Sequence, residues 1–255
     1  MGGAERTEDK RERQDAQAAT ANRAGGGRRG LYAGIVIIAL IAVVGAGLWL
    51  QHRNKPYELP GAIPVAATGP EYRVAVQGET IVTGNPEAPT TVDIYEDFLC
   101  PACGQFEKLY HARLAQAAAD AKARVIYHPV AILDQLSSPP GYSTLAAGAT
   151  FCAAQTGIFP RFHDSLFAAQ PPEGGRGWTS AQLQQLGHDL GAGDGFTSCM
   201  QAGVERRIAA ITGNAVRHVS ALRPDGRFGT PSIVINGTFV NDKEWLDQAL
   251  SGTRR

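Results

Sequence analysis

The sequence has no surplus of either charge: 24 Lys and Arg stand against 24 Asp and Glu over 255 residues. That balance argues against a general nucleic-acid binder, which needs a basic surplus to neutralise phosphates. No fixed repeat period is present, although Gly and Ala are abundant throughout. The six histidines lack metal-ligand spacing, so each is expected as a surface or hydrogen-bonded side chain. Cysteine is scarce, with only Cys100, Cys103, Cys152 and Cys199. What is present is a hydrophobic content of 44%, enough to supply a core.

Only one long apolar run occurs, LYAGIVIIALIAVVGAGLWL at residues 31–50. Twenty residues in a helix cover ~30 Å, the hydrocarbon thickness of a bilayer. Tyr32 and Trp49 sit near its ends, where amphipathic rings favour the interface. A single transmembrane helix is expected there. Residues 1–30 have no aliphatic side chain larger than alanine beyond Met1, so they read as a disordered arm. Arg11, Arg13, Arg23, Arg28 and Arg29 precede the run, against Arg53 and Lys55 after it. The positive-inside rule then places the arm in the cytoplasm and the rest of the chain outside. A cleaved signal peptide is the rival, but its apolar region would be over-long. Residues 51–70 read as a linker.

Four cysteines in an oxidising compartment suggest disulfides, and three pairings are open in principle. Zinc is the competing use of four thiolates. Cys152 and Cys199 form no second C-x-x-C knuckle, which disfavours it. Cys100 and Cys103 lie in TTVDIYEDFLCPACGQFEKLYHARL. Thr91–Tyr95 is rich in strand formers, and Phe106, Leu109, Tyr110 and Leu114 recur at helical spacing. The segment therefore reads as strand, short loop and helix, with Cys100 at the helix start and Pro101 in its first turn. Free N–H groups and the helix dipole stabilise a thiolate at such a position. Cys100 is expected to be exposed and nucleophilic, and Cys103 shielded and resolving. The bland alternative is an inert bridge across a turn, but so short a loop stabilises little.

The segment YEDFLCPACGQFE resembles the active-site segment of the DsbA family of thiol–disulfide oxidoreductases, especially its membrane-anchored actinobacterial members. The run RFGTPSIVINGTFV is similar to that family's second signature, and the resemblance covers roughly residues 70–250. It implies an α/β thioredoxin-like fold with an inserted α-helical domain and a cis peptide at Thr230-Pro231. The first part of the thioredoxin-like domain would then be 71–136, the insertion 137–205 and the second part 206–255. The residues agree: Pro231 can open a strand, and Asn236-Gly237 signals a hairpin returning through Thr238–Val240. Trp245, Leu246 and Leu250 pattern a closing helix.

Between the motifs, Arg124–Val130 reads as a strand, followed by a helix capped by Ser143 or Thr144 and stopped at Gly157. Helical stretches at Phe159–Phe167 and Ser180–Leu190 follow. One long helix from about Thr197 is expected to carry Cys199, Ile208, Ile211 and Val219. Cys152 and Cys199 are read as a structural disulfide between two helices. A second redox relay or two free thiols remain open at this point.

Two departures from the family pattern matter. Ile94 stands six residues before Cys100, where thioredoxin-fold enzymes commonly place a buried carboxylate. Glu96 and Asp97 are expected to be ordinary solvated acids, so no general base is assigned. Between the cysteines stand Pro101 and Ala102, without the histidine of the most oxidising relatives, which implies a milder oxidase.

The expected function is the introduction of disulfides into reduced or unfolded exported proteins, with no cofactor and no metal. An apolar groove around Phe98, Leu99 and Pro231 would hold the client. The resemblance implies a quinone-linked membrane reoxidant of the DsbB or vitamin K epoxide reductase kind. Alternatives are a reductase, as in cytochrome c maturation, an isomerase, or a non-catalytic tethered peptide-binding module. Reductases of that group commonly carry Trp before the first cysteine, whereas Leu99 stands here. No dimerisation domain is visible, so a monomer is expected.

Overall fold

A computed structural model describes residues 59–203 and 205–240, together with Leu246 and Ala249. The expected arm, the expected anchor at 31–50, and Trp245 and Leu250 lie outside the described residues. Among the described residues no helix is long and apolar enough to cross a membrane.

Six strands form one sheet: β1 (Val74–Gln77), β2 (Thr80–Gly84), β3 (Thr90–Glu96), β4 (Ala123–Pro129), β5 (Ser232–Ile235) and β6 (Thr238–Val240). Their order is β1-β2-β4-β3-β5-β6, with β3 and β4 parallel and the other neighbours antiparallel. Helix α1 (Pro101–Ala119) makes the crossover between β3 and β4 that a parallel pair requires. The central strands are rich in Val, Ile, Thr and Tyr, which suit a pleated surface packed on both sides. In β3, Ile94 lies opposite Tyr127 of β4 and Ile233 of β5. The β1–β2 hairpin escaped the sequence reading because its strands are only four and five residues long. The β5–β6 turn follows the expected Asn236-Gly237 chemistry, with φ of 49° and 82°.

Between β4 and β5 the chain makes α2 (Tyr142–Gln155), α3 (Phe159–Ala168), α4 (Ser180–Asp189), α5 (Gly193–Gln201) and α6 (Glu205–Leu222). The single long helix expected from Thr197 is two helices, α5 and α6. Gly203 between them takes a φ of 76°, a conformation glycine adopts at helix ends without a Cβ penalty. Neither Ser143 nor Thr144 caps α2, whose N-cap is Gly141. Both hydroxyls are spent on acids instead, Ser143 on Asp97 and Thr144 on Asp134.

The core is divided. One cluster joins the sheet to α1 and α6 through Ile94, Phe106, Leu114, Tyr127, Ile208 and Ile211. Leu109 of the expected apolar stripe is instead 66% exposed. A second cluster fills the helical insertion with Phe162, Leu166, Trp178, Leu183, Phe196 and the Cys152 side chain. Phe98 and Leu99, from the loop before α1, and Ile63 are buried in that same helical cluster. The cysteine loop is thus anchored in the insertion's core rather than in the sheet's. Cys152 of α2 and Cys199 of α5 are joined by a disulfide, with their Cα atoms 5.7 Å apart.

Candidate active site

Cys100 is the N-cap of α1 in extended conformation, and Pro101 occupies the first helical turn, where its missing N–H costs nothing. The loop is held before the helix begins: the Cys100 N–H donates to the Asp97 carbonyl at 3.0 Å. Cys100 and Cys103 are unlinked thiols. Cys100 is less exposed than the sequence suggests, at 7%, and Cys103 is at 0%. Burial of Phe98 and Leu99 draws the loop inward, so Cys100 is covered from the insertion side. Pro101 and Ala102 remain exposed.

Across from the cysteines, the Thr230-Pro231 peptide is cis and Pro231 precedes β5. Cys100 Sγ lies 3.3 Å from the Thr230 carbonyl oxygen. The two motifs, 130 residues apart, therefore meet at one sulfur.

The two thiols are driven apart in acidity. The Cys103 thiol donates a hydrogen bond to the Cys100 sulfur and outweighs the opposing effect of burial. Backbone N–H groups of Cys103 and Ala102 add to it, and the Cys100 thiol falls from its ordinary 9.0 to about 6. Burial pushes the Cys103 thiol well above its ordinary value, and its bond to Cys100 adds to that. Only the Asp97 N–H, 3.5 Å from its sulfur, works in the other direction among the hydrogen bonds.

Glu96 and Asp97 are not solvated acids. Both are 0% exposed. Asp97 Oδ1 accepts from the Leu99 N–H at 2.9 Å and the Ser143 hydroxyl at 2.7 Å. Its Oδ2 accepts from the N–H groups of Ile132 and Leu133 at 2.9 and 3.0 Å. One carboxylate thus ties the cysteine loop, the segment after β4 and helix α2 together. An asparagine there must turn its NH2 toward one pair of donors, whichever way it is placed. Asp97→Asn is expected to cost about 3 kcal/mol and lower the melting temperature by about 8 °C, checked by thermal denaturation.

The insertion braces the loop a second time. Gln170, just past α3, donates its side-chain amide to the carbonyls of Phe98 and Cys100 at 3.1 and 2.8 Å. A Cβ at Gly104 would meet the Gln170 carboxamide oxygen, so a side chain directly after Cys103 would displace the amide that braces the loop.

Two of the histidines, far apart in the chain, meet here. His163 of α3 is fully buried, with Nε2 2.9 Å from Glu96 Oε1 and Nδ1 3.3 Å from Asp164 Oδ1. His111 of α1 places Nδ1 2.9 Å from Glu107 Oε2 and Nε2 2.9 Å from Asp164 Oδ1. Glu107, His111 and His163 bring possible ligand atoms within 4.8 Å of one another. Each imidazole nitrogen already has a carboxylate partner, whereas Glu96 Oε2 and Glu107 Oε1 are buried without one. Burial would lower both imidazoles, but the acids outweigh it: His111 is held up at about 9, and His163 is also raised. Burial raises Glu96, although His163 opposes the shift. His128 pairs with Asp93 at 2.8 Å; its ring stacks on Tyr95 at 4.1 Å between centroids.

Phe98 and Leu99 do not line the expected apolar client groove, because both side chains are 0% exposed. A groove of about 710 Å³ lies instead on the α1 side, lined by Pro101, Gly104, Lys108, His111, Asp164 and Phe167 among others.

The thioredoxin family model matches residues 76–251. Over 213 residues the chain is 30% identical to the serine/threonine-protein kinase PknE of Mycobacterium tuberculosis, covering 79% of this chain and 37% of that protein. The chain thus spans well under half the length of that curated relative. Among solved structures it is similar to reduced DsbA of M. tuberculosis, with 26% identity, a TM-score of 0.56, and coverage of 69% of this chain and 94% of that one. It is also similar to the reduced form of DsbG from M. tuberculosis, with 29% identity, a TM-score of 0.53, and coverage of 67% and 83%. Helix-start thiols facing a cis-proline loop, in a sheet interrupted by a helical insertion, agree with these likenesses, and the chain belongs to the thioredoxin family as a DsbA-like thiol–disulfide oxidoreductase.

Proposed function

We propose that this chain is a thiol oxidase that introduces disulfides into exported proteins outside the cytoplasm, tethered by a membrane anchor at 31–50. The observation that carries the direction is the Cys100 thiol, lowered to about 6 beside a Cys103 pushed up. A stabilised thiolate favours the reduced enzyme, and a protein whose reduced form is favoured gives its disulfide away. A client thiolate attacks Cys100 Sγ, the Cys100–Cys103 bond breaks, and Cys103 leaves with the electron pair. A second client thiolate then attacks the client sulfur and releases Cys100. The client forms its disulfide, and the enzyme keeps two electrons and two thiols.

The apolar run at 31–50, with its basic flank before it, supports the anchor and the extracytoplasmic placement. A quinone-linked membrane partner of the DsbB or vitamin K epoxide reductase kind would take the two electrons, and the catalytic unit acts as a monomer. The reduction potential of the soluble domain in glutathione buffers tests the direction. A value between about −120 and −200 mV is expected, and one near about −270 mV would make the protein a reductase.

A further inference from the structure

Cys103 leaves as a thiolate in a site with 0% exposure. Water cannot readily supply its proton, and the strand position that commonly carries a buried acid holds Ile94. Glu96 lies two residues further along β3. Side chains two apart share a face of a strand, so Glu96 projects to the side of Ile94, where α1 and Phe106 pack. Its neighbour Asp97 donates its N–H to Cys103 Sγ, and the Glu96 charge is felt at that thiol. Glu96 Oε1 accepts from His163 Nε2–H at 2.9 Å, whereas its buried Oε2 has no hydrogen-bond partner.

From Glu96 a continuous hydrogen-bonded chain leads outward. His163 joins Asp164, and Asp164 joins His111, which lines the groove beside Pro101 with Asp164 and Glu107. Cys103, Glu107 and His111 are spaced i, i+4 and i+8, so they form one stripe of α1 from the buried thiol to the groove. The geometry points to Glu96 as the proton donor and acceptor for Cys103, with His163, Asp164 and His111 carrying that proton between Glu96 and solvent in the groove. This inference rests on the disulfide-exchange reading above.

The step balances. As the client–Cys100 bond forms and the Cys100–Cys103 bond breaks, the electron pair goes to Cys103 Sγ. The proton on Glu96 Oε2 moves to that sulfur, directly or across one water. The carboxylate left behind takes the His163 Nε2 proton, and the proton His163 has lost is restored from solvent by way of His111 and Asp164. In the reverse direction Glu96 accepts the thiol proton. The charged and titratable groups around Glu96 are His163 and Asp164 from α3, Glu107, His111 and Cys103 from α1, Tyr127 from β4, and Tyr72 near the acids. Burial favours the protonated carboxyl, which a donor at neutral pH needs.

The test is single-turnover reduction of the oxidised full chain by a dithiol peptide, quenched in acid and read by mass spectrometry from pH 5 to 9. Rates are divided by the peptide's thiolate fraction. In the wild type the corrected rate is expected to fall as pH rises and Glu96 loses its proton. Glu96→Gln keeps the bond from His163 but has no proton to give. It is expected to react about a hundredfold more slowly, with a corrected rate that no longer varies with pH. His111→Gln, at the half-exposed end, is expected to slow the reaction in dilute buffer and to recover with added imidazole, which no packing defect would show. A folded Glu96→Gln protein with the wild-type rate and pH profile overturns the assignment to Glu96. If that variant does not fold, an unslowed His111→Gln protein overturns the route. Failure of the wild type itself to exchange with the peptide would instead overturn the functional reading.

Discussion

Cys100→Ala is expected to abolish peptide oxidation completely, whereas Cys103→Ala should accumulate client proteins linked to Cys100. The asymmetry follows from the site: Cys100 is the sulfur that a partner reaches, and Cys103 is enclosed beneath it. Non-reducing gels separate the two outcomes, and equal behaviour of both variants would sink the division of roles. The same asymmetry is visible in pH. Titrating the reduced protein by thiolate absorbance should give a Cys100 midpoint at about 6. Because the folded value lies below the ordinary 9.0, the reduced fold gains stability as pH rises from about 6 to about 9. That gain is fully present above the unfolded value and lost as pH falls through the folded one. A midpoint close to the ordinary value would remove the ground for an oxidase.

Cys152→Ser with Cys199→Ser is the second large effect. The bridge closes a loop with a sequence separation of 47, worth about 4 kcal/mol in the chain-entropy treatment. A melting temperature lower by about 10 °C is expected, with peptide oxidation by the remaining pair largely retained below it. Cys152 is sealed at 0% exposure in the helical cluster while Cys199 is only partly buried at its edge, and the burial of Cys152 favours a structural bridge. Loss of turnover at unchanged stability would mean that the pair relays electrons.

The sequence disclosed the centre well because its signals are local. Strand formers, a loop, Pro101 and an apolar helical stripe place Cys100 at a helix start without any tertiary information. Asn236-Gly237 and Pro231 mark the second motif in the same way. The surroundings were less legible, because their partners come from elsewhere in the chain. Glu96 and Asp97 look like loop acids until the segment after β4, α2 and α3 deliver the donors that bury them. His111 and His163 look scattered until α1 and α3 pack side by side. One signal was available: Cys103, Glu107 and His111 repeat at four-residue spacing on a helix already assigned. Buried polar groups on one helical face imply partners on the next element.

The attachment of the cysteine loop has a consequence for how this architecture can be divided. Phe98 and Leu99 are rooted in the insertion, Asp97 is bracketed by Ser143 of α2, and Gln170 grips two carbonyls of the loop. The helical lobe is therefore no cassette that can be cut out, shortened or exchanged to leave a bare redox scaffold behind. Grafting the CPAC tetrapeptide alone onto a minimal thioredoxin frame would transfer the letters and leave their mould behind. Drift among residues that hold Gln170 or Trp178 in place, remote from either sulfur in the sequence, would be inherited as drift in thiol reactivity.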